Sequence, residues 1–152
     1  MSSRQKEMTK EFPPQEQEPP GTERAMRPEP RSEMKEYKGS GKLRDKAAII
    51  TGGDSGICRA VAIGFAKDGA DVAIIYLEEH EDAKKTQQGV KEAGRKSFTM
   101  AGDLGDEPFC KSVIKRTVDE FGKLDILVNN AGEQHAVKKL EDLPTEFSFR
   151  LL

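Results

Sequence analysis

The stretch Ala47-Ala48-Ile49-Ile50-Thr51-Gly52-Gly53-Asp54-Ser55-Gly56-Ile57-Cys58 decides the reading of this chain. It begins as an apolar, β-branched run of strand type, and its end opens an amphipathic segment of helical period. A strand that breaks at glycines and feeds straight into a helix leaves backbone N–H groups at the helix start facing outward, where they attract phosphate. Glycine there lets phosphate approach without a Cβ in the way. The pattern points to an α/β protein with a dinucleotide-type phosphate turn. Where such a turn would carry a third glycine, this chain has Cys58. A Cβ and sulfur at that contact cost roughly 1–3 kcal/mol if the neighbours cannot relax. The alternative reading of Cys58, a redox-sensing thiol, requires a depressed pKa of the kind a helix N-terminus can supply.

Outward from this stretch, element types alternate. Residues 46–51 are predicted as a first strand and 55–68 as a helix with Ile57, Val61, Gly64 and Phe65 on one face, stopped at Asp68-Gly69. Residues 71–77 form a second strand, apolar enough to be covered on both faces. A charged helix is predicted over 81–93 with Ala83 and Val90 two turns apart, then a third strand over 96–101. A helix over 107–121 carries Cys110, Ile114, Thr117, Val118 and Phe121 at helical spacing, and a short fourth strand follows over 124–128. The order β-α-β-α-β-α-β with short connections implies parallel strands and right-handed crossovers. Beyond Gly132, a helix start at 138–142 is interrupted by Leu143-Pro144, and the apolar end from Phe147 has no evident partner.

Composition sorts the rest. Six of the eight prolines (Pro13, Pro14, Pro19, Pro20, Pro28 and Pro30) precede residue 31, in a stretch with few large apolar side chains. Such a segment cannot offset its chain entropy by burial, so residues 1–40 are expected to be a disordered or extended arm. Its charges are mixed in sign, unlike a nucleic-acid tail, and it lacks the apolar core of a secretory signal. The net charge of −2 argues against a nucleic-acid partner, and no apolar run approaches the ~20 residues of a membrane span. Two cysteines without metal-ligand spacing fit reduced thiols, no metal site and a cytoplasmic location.

Three further strand ends give the glycine turn its context. The second strand ends at Tyr76-Leu77-Glu78, where a dinucleotide fold meets the adenine ribose. The third ends at Asp103-Leu104 and the fourth at Asn129-Asn130-Ala131-Gly132, beside the switch point of a doubly wound sheet. Together with Thr51 to Ile57, these motifs resemble the short-chain dehydrogenase/reductase family, with the match running over residues 41–135. The surrounding wording is similar to a bacterial branch with a long Pro/Gln/Glu-rich arm, often labelled general stress, aldehyde reductase or glucose dehydrogenase-like oxidoreductases.

The resemblance implies a Rossmann-type, doubly wound parallel sheet in the order 3-2-1-4, cut short after its fourth strand. It implies an NAD(P)-binding half-domain over 41–135, followed by an atypical tail over 136–152. By position, Gly52 and Gly56 would shape the phosphate turn beside Asp54. Ser55 and Ile57 would contact the cofactor, with Tyr76 at the adenine end. Asp103 and Leu104 would bracket the adenine, and Asn129, Ala131 and Gly132 would steady the fourth strand and touch the ribose side. An acid at the end of the second strand selects NAD, whereas an arginine there accommodates the 2′-phosphate of NADP. Here Glu78 lies one step beyond Tyr76-Leu77, and no cation occurs in the turn before Arg59, a lean towards NAD.

The family's catalytic serine, tyrosine and lysine fall downstream of the Asn-Asn-Ala-Gly turn, so no catalytic residue is expected among residues 1–152. Tyr37 lies in the arm and has Gly41, not lysine, four residues on, while Tyr76 is followed at that spacing by His80. Two readings result. One is the cofactor-binding half of an NAD(P)-dependent oxidoreductase acting on an alcohol, aldehyde or sugar, in a family of homo-oligomers. The other is a non-catalytic remnant or nucleotide-binding module, with the tail read as a frameshift or early stop. In either case the fourth strand is an edge, the kind of surface that invites aggregation.

Overall fold

Ala47–Thr51 is buried along its whole length and is the central strand, β1, from which the other elements take their places. The computed structural model describes residues 14–16, 25–28 and 30–132. Most of the arm before residue 30 and the tail over 133–152, with its expected helix start and the interruption at Leu143-Pro144, lie outside the described residues. After β1 come α1 (Gly56–Lys67), β2 (Asp71–Tyr76), α2 (His80–Glu92), β3 (Ser97–Ala101), α3 (Glu107–Phe121) and β4 (Ile126–Val128). The strands form one sheet, parallel as the alternation of elements implies and in the order β3-β2-β1-β4 that the resemblance implies. Ile49 pairs with Ala73 on one side and Leu127 on the other.

Alternate residues of each strand face opposite sides, so one sheet supports two cores. Ile50, Val72, Ile74 and Tyr76 meet Cys58, Ala62 and Ala66 of α1 and Ala83 and Val90 of α2. Ile49, Ala73, Ile75 and Phe98 meet Val113 of α3. Fully burying one such Ile or Val contributes about 1.5–3 kcal/mol. Phe98 also stacks at a tilt on Phe121, 5.3 Å between centroids, and carries the Arg116 guanidinium 4.5 Å above its ring. The side chain of Asp106 caps α3 by accepting from the Phe109 amide, and Gly122 ends the helix in the left-handed conformation.

Two helix faces differ from the sequence expectation. In α1 the buried residues are Cys58, Arg59, Ala62, Ile63, Gly64 and Ala66, so of the expected face only Gly64 is fully covered. Ile57 is 77% exposed, while Val61 and Phe65 only flank the core. The buried stripe is centred one residue on from the expected one, and Arg59 lies within it. In α3 the buried residues are Val113 and Thr117, and Ile114 and Val118 stay exposed. β4 is also shorter than expected. Asp125 is withdrawn from it because its carboxylate accepts the Ala47 amide (2.9 Å) and pairs with Lys46 (3.3 Å). The Ala47 amide holds the Asp125 carboxyl below its usual range, helped by Lys46 and Lys123.

The last part of the arm runs against the C-terminal end of α1. The Asp68 carboxylate accepts the Tyr37 hydroxyl, the Ser40 amide (2.7 Å) and the Gly41 amide (3.1 Å). Lys67 Nζ donates to the carbonyls of Met34 and Tyr37. The approach is close enough at Gly39 that a Cβ would collide with the Lys67 carbonyl. The Tyr37 hydroxyl, with the Ser40 amide next, holds the Asp68 carboxyl down to about 2. A depressed acid supports docking above its unfolded value near ~3.9 and loses that support as pH falls towards the folded value. Hydrogen exchange at Ser40 and Gly41 should therefore stay protected down to about pH 4 and lose protection towards about pH 2. In Asp68→Ala the protection should already be absent at neutral pH.

Candidate functional site: a phosphate turn at the sheet's carboxyl edge

In a parallel sheet every strand delivers its carboxyl end to the same edge, and ligands bind there where the strand order reverses. Here the chain moves from β1 to β2 to β3 and then returns to the other side of β1, so the reversal lies between β1 and β4. Thr51 ends β1 at that point. Its hydroxyl donates to the Val128 carbonyl (3.2 Å) and accepts the amides of Asn130 (3.0 Å) and Ala131 (3.1 Å). One side chain thus fixes the segment after β4 against the glycine turn after β1.

The glycines of the turn have separate tasks. Gly52, at φ +63°, lies so close to the fourth-strand segment that a Cβ would sit 3.2 Å from Asn130 Nδ2 and 3.3 Å from Ala131 Cα. Gly53 is tied to β2 through its amide and the Ile75 carbonyl (3.2 Å). At Gly56, with φ +54°, a Cβ would meet nothing within 4 Å. Packing does not require a glycine there; the backbone conformation does, and the space in front of it is open. Ser55 is the N-cap, with an extended backbone and no side-chain cap bond to the helix. The first turn of α1 thus begins beside open space, the arrangement that receives an anion.

Asp54 turns inward. Burial pushes its carboxyl above the usual range, with smaller contributions from Glu79 and Asp82, against the lowering effect of its own amide and the Ser55 hydroxyl. Its carbonyl accepts Arg59 Nη2 (2.7 Å) and Thr86 Oγ1 (2.9 Å). Arg59 also pairs with Asp82 Oδ1 at 3.3 Å. Sequence reasoning missed Arg59, Thr86 and Asp82 as partners of the turn. The available signal was a lone arginine next to Cys58 in the first turn of a largely apolar helix. Cys58, where a third glycine was expected, is buried in the core against the sheet, and burial raises its thiol pKa, with Asp54 adding to the effect. This direction is opposite to the one a redox-sensing thiol needs.

The remaining candidates lie along the same edge. Tyr76 is buried, with its hydroxyl 2.8 Å from His80 Nδ1 and the two rings edge to face. The exposed residues at the end of β2 are therefore Leu77, 57% accessible, and Glu78. Gly102 donates to the Tyr76 carbonyl (3.0 Å), bringing Asp103 beside the end of β2. Asp103 Oδ1 accepts the Gly105 amide (2.7 Å), and Leu104 is exposed on the outer side of this turn. Asn129, Ala131 and Gly132 are exposed after β4, on the side fixed by Thr51. The sheet therefore brings the phosphate turn and the fourth-strand segment together, with the ends of β2 and β3 further along the same edge. Among the described residues no group of three or more His, Cys, Asp or Glu side chains can hold a metal ion. Likewise, no described helix is long and apolar enough to cross a membrane.

Comparison with known proteins agrees with this arrangement. The chain is 52% identical over 138 residues to general stress protein 39 of Bacillus subtilis, covering 90% of this chain and 48% of that protein. It is 42% identical over 143 residues to the glucose and ribitol dehydrogenase of Daucus carota, covering 90% and 49%. Among solved structures, carveol dehydrogenase from Mycobacterium avium in complex with NAD matches with a TM-score of 0.66 at 30% identity, covering 70% of this chain and 43% of that one. A short chain dehydrogenase from Burkholderia cenocepacia in complex with NADP matches with a TM-score of 0.61 at 38% identity, covering 69% and 42%. The chain spans about half the length of the relatives it matches. The family model for short chain dehydrogenases matches residues 46–149, and with the strand order and glycine turn described above this chain belongs to that family.

Proposed function

We propose that this chain binds a nicotinamide dinucleotide at the carboxyl edge of its sheet, as the cofactor-binding half of an oxidoreductase acting on an alcohol, aldehyde or sugar. The observation that carries the reading is the open space in front of Gly56 at the strand-order reversal, next to the start of α1. In this reading Gly52 and Gly56 shape the phosphate turn, and Ser55 and Ile57 line it. Asp103 and Leu104 bracket the adenine, while Asn129, Ala131 and Gly132 border the nicotinamide side. Bound there, the cofactor would supply hydride chemistry; these residues bind and orient it. The reading also places the protein in the cytoplasm, consistent with two free thiols, one of them buried.

NAD is the proposed cofactor over NADP. A 2′-phosphate needs a cation at the end of β2, and the exposed residues there are Leu77 and Glu78. Arg59, the cation nearest the turn, is committed to Asp54, Asp82 and Thr86. A second reading, a nucleotide-binding module without turnover, is favoured by the state of the two tyrosines. Tyr37 is bound to Asp68 at the far end of α1, and Tyr76 is buried against His80. Neither is placed as a proton donor beside the turn.

Fluorescence titration with NADH separates these ideas from a chain that binds nothing. Saturable binding is expected, and its absence in folded protein would remove the dinucleotide reading. Gly56→Ala should abolish binding and destabilise the fold by about 1–2 kcal/mol, because an L-residue is strained at this φ and its methyl enters the open space. NADH should bind more tightly than NADPH, and Leu77→Arg should reverse that order. An assay of aldehyde reduction by the same protein then distinguishes turnover from binding alone.

A further inference from the structure

A buried polar cluster lies behind the phosphate turn. Arg59 from α1 and Thr86 from α2 converge on one backbone atom, the Asp54 carbonyl oxygen, and Asp82 of α2 pairs with Arg59 beside it. Thr86 is fully buried, and the side chains of Arg59 and Asp82 are nearly so. Arg59 Nε donates to Thr86 Oγ1 (3.0 Å), which orients that hydroxyl. The hydroxyl has a single proton and two carbonyls in reach, Asp54 at 2.9 Å and Asp82 at 3.2 Å. The shorter contact is to the turn, not to the helix's own previous turn. Arg59 Nη2 reaches the same Asp54 oxygen and also spans to the Asp82 carbonyl and carboxylate, both at 3.3 Å.

The direction of that carbonyl has a consequence on the opposite side of the peptide. A trans peptide is planar, and its N–H points away from its C=O. With the Asp54 oxygen held inward, the Ser55 N–H is aimed outward, on the side where Gly56 leaves open space. We propose that Arg59 and Thr86 are positioning residues for the dinucleotide's phosphates: by holding the Asp54 carbonyl inward they aim the Ser55 amide at the pyrophosphate. The cluster thereby makes α2, which has no direct place at the phosphate turn, a determinant of affinity for it. This inference rests on the dinucleotide reading above and assigns its phosphate recognition to a specific support.

The discriminating quantity is the ratio of affinities for ADP-ribose, which carries the pyrophosphate, and adenosine, which does not. A fastener that only stabilises the fold would lower the melting temperature and leave that ratio unchanged in folded protein. Calorimetric titration of the full chain, checked for folding by circular dichroism, reads both. Thr86→Val keeps the side-chain volume and removes the hydroxyl. It should weaken ADP-ribose binding roughly tenfold, as expected for loss of one aimed hydrogen bond, and change adenosine binding by less than about twofold. Thr86→Ser should restore the wild-type ratio. Arg59→Lys, which keeps the charge but not the fork, should shift the ratio in the same direction and serves if Thr86→Val fails to fold. An unchanged ratio in either folded variant, or equal losses for both ligands, overturns the positioning role. Wild-type protein that binds neither ligand overturns the dinucleotide reading, and this inference with it.

Discussion

The hydroxyl of Thr51 is the fastening on which the ligand edge depends. It is the last side chain of the central strand, and it bonds to the carbonyl that ends β4 and to two amides of the segment after it. It ties the glycine turn to the segment after β4 just beyond Ile50 and Val128, the last paired residues of the two strands. Gly52 is glycine for the matching reason, since the segment Thr51 draws in passes within van der Waals distance of where its Cβ would be. One hydroxyl and one missing methyl thus define the width of the crevice. The open space at Gly56 is then the part of the turn left unfilled by the protein.

Much of this was legible in the sequence because it is local. α3 spans the residues its helical spacing predicts, and the structure adds the Asp106 cap before it and Gly122 after it. The three longer strands agree within a residue at each end, and for β1 and β2 the reason is that nearly continuous apolar runs are what strands covered on both faces require. Where the reading failed, a tertiary partner decided the outcome. Periodicity places arginine on the solvent side, yet Arg59 is buried because Asp82 and Thr86 arrive from a helix more than twenty residues on. The buried face of α1 thus includes Arg59 and leaves Ile57 exposed. β4 lost Leu124 to packing against α3 and Asp125 to the start of β1, pairings that no local pattern encodes.

The candidate site was legible as a set of strand ends but not as a set of side-chain directions. Gly52, Gly56, Ala131 and Leu104 stand where their motifs put them, because a parallel sheet sends every strand end to one edge. Tyr76 and Asp54 lie at the expected points in the chain, but their polar groups are turned into the protein. Cys58 illustrates the same limit from the other side. Its sulfur fills space in the core between α1 and the sheet, so the missing third glycine is absorbed by packing.

The α3 side of the sheet has a thermodynamic consequence. Leu127 of β4 is 55% accessible, and Ile114 and Val118 of α3 and Leu104 are also open, around a hollow of about 230 Å³ that Leu127, Ile114 and Leu104 help to line. Apolar atoms already in contact with water in the native state gain no new hydration shell when the chain melts. These side chains therefore add little to the heat-capacity increment of unfolding, whereas Ile49 and Val113, buried behind them, add in full.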